Sequence, residues 1–183
     1  MAGSGRTPNV DQIAVRPATP ADAPSLARLR YQFRAGLDEP NEPAEVFIRR
    51  AAGWFAARLA TDAWRGWVAV DGTGEVVGHV FVQLVEKIPN PLPEAEAIGY
   101  LTNSYVVPAW RNRGVGTRLI AAALAACDAL DLESVILWPT EESRTMYERH
   151  GFAPPVKLLE RPGVTSTDGS PELSTPGSST EVG

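Results

Sequence analysis

One stretch, Ile98 to Ile120, limits what this chain can become. Its first part, Ile98 to Val107, is uncharged, rich in β-branched and aromatic residues, and closed by Pro108, which is the pattern of a strand. From Gly114 on, Val115, Leu119, Ala122, Ala123, Ala126, Cys127 and Leu130 recur at helical spacing. Between them lies Arg111-Asn112-Arg113-Gly114-Val115-Gly116-Thr117. A strand, a short basic loop with glycines, then a helix together make an anion site. The first-turn N–H groups of a helix lack intrahelical acceptors, and the helix dipole is positive there. Gly114 and Gly116 let an anion approach the backbone without a Cβ in the way. Arg111 and Arg113 add positive charge.

Two familiar phosphate loops fail on the letters. A Walker A loop requires a Lys after its second glycine, and none follows here. A dinucleotide fingerprint requires a third glycine where Leu119 stands. The pattern present is Arg111-x-x-Gly114-x-Gly116 directly after a Val-Val strand end. It resembles the acetyl-CoA pyrophosphate loop of the GNAT superfamily of N-acetyltransferases.

A second stretch strengthens the resemblance. Residues Trp138 to Phe152 look like the downstream GNAT motif, usually Asn-x-x-Ala-x-x-Leu-Tyr-x-x-x-Gly-Phe. Tyr147, Gly151 and Phe152 match it. Thr140, Ser143 and Met146 replace its Asn, Ala and Leu. Thr140 also reads as a helix N-cap, with Glu141 and Glu142 suiting the positive end of that helix.

The resemblance implies a site. Acetyl-CoA would be the co-substrate. The backbone of Tyr105, Val106 and Val107 would hold its pantetheine arm and offer N–H groups to the thioester oxygen. The loop Arg111, Asn112, Arg113, Gly114, Val115, Gly116 and Thr117 would hold its pyrophosphate. Thr140 takes the place of the Asn that contacts pantetheine. Tyr147 would donate a proton to the departing thiolate, and a phenol of pKa about 10 is protonated at pH 7. The amine must lose a proton to attack, but the strand carries no carboxylate. Glu86, Glu94 and Glu96 flank it as candidate direct bases, and Thr102 and Asn103 within it are suited to position a water or the substrate, so a direct base and a water relay both stand open. His79 reads as a satisfied histidine of core or rim, His150 as a partner for a helix C-terminus, and Cys127 as a buried thiol on an apolar face.

Composition excludes other classes. Two histidines and one cysteine leave no metal-ligand cluster. A net charge of −5 argues against nucleic acid as partner. No apolar run is long enough to span a bilayer, and no charged-then-apolar leader precedes the domain. The single cysteine fits a reducing cytoplasm.

In chain order, residues 1–11 read as a flexible leader and residues 162–183 as a disordered tail, since sixteen of those twenty-two are Gly, Pro, Ser or Thr. Residues 12–161 form the domain. Ile13 to Pro17 is a first strand. Thr19 caps a helix with Leu26, Leu29, Arg30 and Phe33 on one stripe. A second helix runs from about Ala44 to Ala60. Trp64 to Val70 and Val76 to Val85 form a hairpin about Asp71-Gly72-Thr73-Gly74-Glu75. Residues 88–96 are a proline loop. After the organising strand and helix come a buried strand Ser134 to Trp138, a helix to His150, and a last strand within Pro154 to Leu159.

This order is mixed, of α+β (mixed α/β) class, and it again resembles the GNAT fold. That resemblance implies a central sheet, mostly antiparallel and twisted, splayed at the cofactor strand and flanked by helices. Trp54, Trp64 and Trp67 read either as core or as the wall of an amine pocket. Trp110 reads as partly exposed.

The functional expectation is direct transfer of acetyl from acetyl-CoA to a primary amine of a small molecule, a metabolite or an aminoglycoside-like antibiotic. Protein or peptide acetylation and a non-catalytic acyl-CoA sensor are the alternatives. A homodimer is compatible with the resemblance.

Overall fold

The computed structural model of the protein describes residues 10–161. The expected tail, and all but the end of the expected leader, lie outside the described residues. The chain divides into two units, 1–152 and 153–183. In the first, Val10–Gln12 forms a 3-10 turn and strand β1 spans Ala14–Pro17. Thr19 then opens a 3-10 turn, Pro20–Asp22, which leads straight into helix α1, Ala23–Ala35. Asp22 accounts for that geometry. Its carboxylate accepts the Thr19 N–H at 2.8 Å and a forked pair from Arg16 at 2.8 and 2.7 Å. A charge-assisted fork on a helix-start residue fixes β1 against α1. The Arg16 bond holds the Asp22 carboxyl below the usual range against the opposing pull of burial.

Helix α2, Ala44–Leu59, is unbroken at Gly53. Strand β2, Trp64–Val70, turns through Asp71, whose carboxylate accepts the N–H groups of Thr73 and Glu75 at 2.9 and 3.0 Å. Strand β3, Val76–Glu86, returns and pairs with β4, Ala97–Val106. Helix α3, Val115–Asp128, crosses over to β5, Val135–Ile136, and α4 spans Glu141–Glu148.

The sheet has five strands in the order β1-β2-β3-β4-β5. Pairing is antiparallel through β4, and β5 runs parallel to it. The fold is therefore mixed α/β with a mostly antiparallel, open sheet, as expected. Helices cover both faces. Trp67, Val80, Val82, Leu101, Val115, Leu119 and Ile120 fill one core beneath α3, while Leu26, Phe55, Val68, Phe81 and Tyr105 fill the other beneath α1 and α2.

Two features of β4 position the site. It pairs with β5 only at Gly99 and Tyr100, so from Leu101 onward its outer edge has no strand partner among the described residues. The sheet opens there. It also carries a bulge toward β3. His79 faces Tyr105 and Phe81 faces Thr102, so Asn103 and Ser104 together oppose Val80. Asn103 takes φ +52° to make this turn, a conformation that asparagine tolerates better than most residues. The extra residue reverses side-chain parity. Leu101 packs under α3, whereas Tyr105, four positions on, packs under α1, and a regular strand would put both on one face.

Three expectations are corrected. The strand expected at Ser134 to Trp138 is only two residues long and half-buried, and Trp138 is exposed. Trp110 is buried, not exposed; the 3-10 turn Pro108–Trp110 tucks its indole into the α3 core. In the second unit, residues 153–161 form no strand, Pro154 and Pro155 having no N–H to give a ladder.

Candidate active site

The bulge places consecutive residues on opposite faces of β4. Ser104 turns to the α3 side, where its hydroxyl lies against the Tyr147 phenol. Tyr147 sits on α4, buried in the α3 core, edge-on to Phe152 with ring centroids 5.7 Å apart. Burial pushes its phenol up, and Ser104 only partly offsets this. Tyr147 therefore holds its proton through neutral pH, as an acid must.

The basic loop reaches the same end of β4. Asn112 has φ +57° and Gly114 φ +81°, so two left-handed residues curl the backbone before α3 begins. Gly114 is the N-cap, with no side chain closing the helix start. A Cβ there would meet nothing within 4 Å, so the loop face at Gly114 is open. Gly116 differs. Its missing Cβ points at the Met146 sulfur, 3.4 Å away, so it also lets α3 approach α4 closely. Val115 is buried as the first anchor of α3, and Thr117 is exposed beside it. Arg111 folds back over β4: its Nε donates to the Val106 carbonyl at 2.9 Å and its guanidinium lies 5.5 Å from the Tyr105 ring centre. Val107 donates its N–H to Val77 at 2.9 Å. Arg113 is exposed in the loop.

Thr140 is the N-cap of α4. Its N–H donates to Ser143 Oγ at 2.9 Å, and the two hydroxyls are also 2.9 Å apart. Its side chain thus serves a helix start. Tyr105, Val106, the loop and Tyr147 are brought together around the open edge of β4, while Thr140 stands at the head of α4.

Among the described residues no carboxylate is bonded to them. Glu94 and Glu96 accept from Asn90 and shape the proline loop, at 2.8 and 2.9 Å. Among the described residues no group of side chains could hold a metal ion. His79 is fully buried between Phe81 and Tyr105, with the Asn103 side chain as its polar neighbour. Burial drives its pKa down from 6.5 to about 3, against a smaller upward pull from the neighbouring Asn103 side chain. It is neutral and no base at pH 7. Stability should follow. Between pH 6.5 and 3 the unfolded histidine takes up a proton that the folded one refuses. His79 should therefore cost stability as pH falls through that window, by up to about 1.4 kcal/mol per pH unit. Urea midpoints of wild type and His79→Gln across this window would check it; parallel slopes would contradict it.

The tryptophans do not form one wall. Trp67 packs under α3, on the opposite face from Trp64. Trp54 meets Trp64 edge-on at 5.0 Å, and Arg58 already lies over the Trp54 face at 5.4 Å. Cys127 is buried, and burial raises its pKa, so it is no nucleophile. Sequence reasoning missed two residues at the bulge. Ser104 gave no signal, since only the bulge turns it toward Tyr147. Arg30 did give one. It sits with Leu26 and Phe33 at i, i+4 and i+7, inside an apolar stripe. Its Nη1 donates to Asn103 Oδ1 at 2.8 Å.

Known proteins are similar to this chain in sequence and in fold. Over 111 residues the chain is 34% identical to an aminoglycoside N(6')-acetyltransferase type 1 of Stenotrophomonas maltophilia, covering 61% of this chain and 65% of that protein's length. The fold is similar to a predicted acetyltransferase from Clostridium acetobutylicum solved with acetyl-CoA: TM-score 0.67, 19% identity, 82% of this chain and 96% of the other. It is also similar to a GCN5-related N-acetyltransferase from Ralstonia eutropha, with TM-score 0.60, 26% identity and coverage of 81% and 97%. The model of the acetyltransferase (GNAT) family matches residues 27–152. That span takes in the open edge of β4, the curled loop before α3 and Tyr147, and the chain belongs to the GNAT family.

Proposed function

We propose that the protein transfers an acetyl group from acetyl-CoA directly to a primary amine of a small molecule, a metabolite or an aminoglycoside-like antibiotic. The observation that carries the reading is the opening of the sheet beside β4, with a protonated tyrosine on one side and an uncapped, left-handed loop at one end. These residues fit acetyl-CoA. The loop Asn112 to Thr117 presents first-turn N–H groups and an open Gly114 face to a pyrophosphate. The outer edge of β4 near Tyr105, which has no strand partner among the described residues, suits an amide-bearing arm laid along it. Acetyl-CoA supplies the activated thioester.

The chain's own residues do the rest. Backbone N–H groups near the bulge offer hydrogen bonds to developing oxygen charge. Tyr147 holds a proton at Oη for the departing thiolate. With no carboxylate among the described residues bonded at the bulge and His79 neutral, the amine proton leaves by water. Water at the Thr102 and Asn103 side chains would carry it.

The test is calorimetric titration with acetyl-CoA, CoA and ATP, followed by thiol release over an amine panel. Acetyl-CoA binding with thiol release is the expected result. Absence of acetyl-CoA binding would reduce the basic loop to an ordinary strand-to-helix turn. Binding without release on any amine would refute small-molecule transfer. The relative from Stenotrophomonas maltophilia, by its name, makes an aminoglycoside a necessary member of the panel.

A further inference from the structure

The α1 side of the bulge holds a cation that the transfer chemistry does not use. Arg30 lies on the inner stripe of α1, four residues after fully buried Leu26 and three before Phe33. Such positions normally take apolar side chains. Arg30 is half-buried instead, its guanidinium 5.7 Å from the Phe33 ring centre and one N–H given to Asn103. No carboxylate among the described residues answers it. Among the described residues Arg30 joins no salt bridge. The charge that acts on it is that of Arg34, one turn along and of the same sign.

Burial and Arg34 both work against its charge, yet a guanidinium stays protonated in proteins. Leaving it half-buried without an anion is unfavourable. Acids are plentiful in this chain, with 22 against 17 basic residues, but none of the described ones is paired with Arg30. A guanidinium that has given one N–H to Asn103 keeps others in a planar fork, the shape that receives a carboxylate or a phosphate. Asn103 ties this fork to the transfer point. Its neighbour Ser104 meets Tyr147 from the other face. An amine reacting at the bulge therefore lies a short chain away from Arg30.

We infer that Arg30 receives an anionic group of the acceptor, so that the substrate class is a short amine bearing a carboxylate or phosphate rather than a polycation. The inference rests on the small-molecule transfer reading above. It chooses between the two acceptor kinds named there, against the aminoglycoside, whose charge Arg30 and Arg34 would repel.

The experiment compares acceptors of equal length. Glycine, β-alanine, γ-aminobutyrate and aminoethyl phosphate are run against the matching amino alcohols and an aminoglycoside, each corrected for its free-amine fraction. The anionic member should exceed its alcohol in kcat/KM by about tenfold or more, as a charge-assisted hydrogen bond provides. The better of the carboxylate and phosphate arms identifies the anion. Arg30→Met should erase the preference while acetyl-CoA affinity is kept, and Arg30→Lys should restore part of it. The wild-type comparison stands even if a variant folds poorly. Equal or faster turnover of the alcohols or the aminoglycoside would overturn the inference and leave the transfer reading intact. So would a preference that survives in Arg30→Met. Thiol release on no amine would overturn both.

Discussion

Replacing Gly114 by aspartate is expected to abolish measurable acetyl-CoA binding, raising Kd by about a hundredfold or more, while the fold survives. The carboxylate would stand at the helix start, where the dipole and the first-turn N–H groups are meant for phosphate oxygens, and like charges at contact distance repel strongly. The fold survives because the new Cβ meets nothing within 4 Å. The cost is that of a side chain at φ +81°, about 1 kcal/mol. Gly114→Asn carries the same strain without the charge and should lose far less affinity. Calorimetric titration of the two variants separates charge from strain, and an unchanged Kd for Gly114→Asp would remove the pyrophosphate from this loop.

Tyr147→Phe is expected to lower kcat by about a hundredfold, within the usual range for a lost general acid, with little change in acetyl-CoA affinity. The ring would still meet Phe152 edge-on and fill the α3 core. Only the hydroxyl beside Ser104 is removed. Because burial raises the Tyr147 phenol, the wild-type rate should fall only at strongly alkaline pH, above the ordinary phenol value of about 10. A variant that turns over at full speed would return Tyr147 to packing alone.

The elements were largely legible because their signals are local. Asp71 to Glu75 is a turn by composition, and β2 and β3 flank it. The Arg111 to Thr117 loop follows from glycines between a strand and a helix. The site's working geometry was less legible because it depends on one backbone irregularity. Nothing in Leu-Thr-Asn-Ser-Tyr announces that Asn103 adopts positive φ, so the placement of Ser104 beside Tyr147 could not be read from spacing. Trp110 was misjudged for a related reason: its burial is set by a 3-10 turn after Pro108, not by any periodic face. The strand expected after Pro154 rested on three apolar residues and ignored the donors that two prolines remove.

The bulge in β4 has a consequence for how the strand tolerates change over generations. Upstream of Asn103 the odd-numbered Leu101 faces α3; downstream the odd-numbered Tyr105 faces α1. The strand is two rulers joined out of phase, and one inserted residue sets the phase. Substitutions along it exchange single contacts. Loss of one residue between Thr102 and Ser104 would rotate every later side chain to the wrong layer and carry the basic loop with it. The length of this strand is therefore held more tightly than its composition.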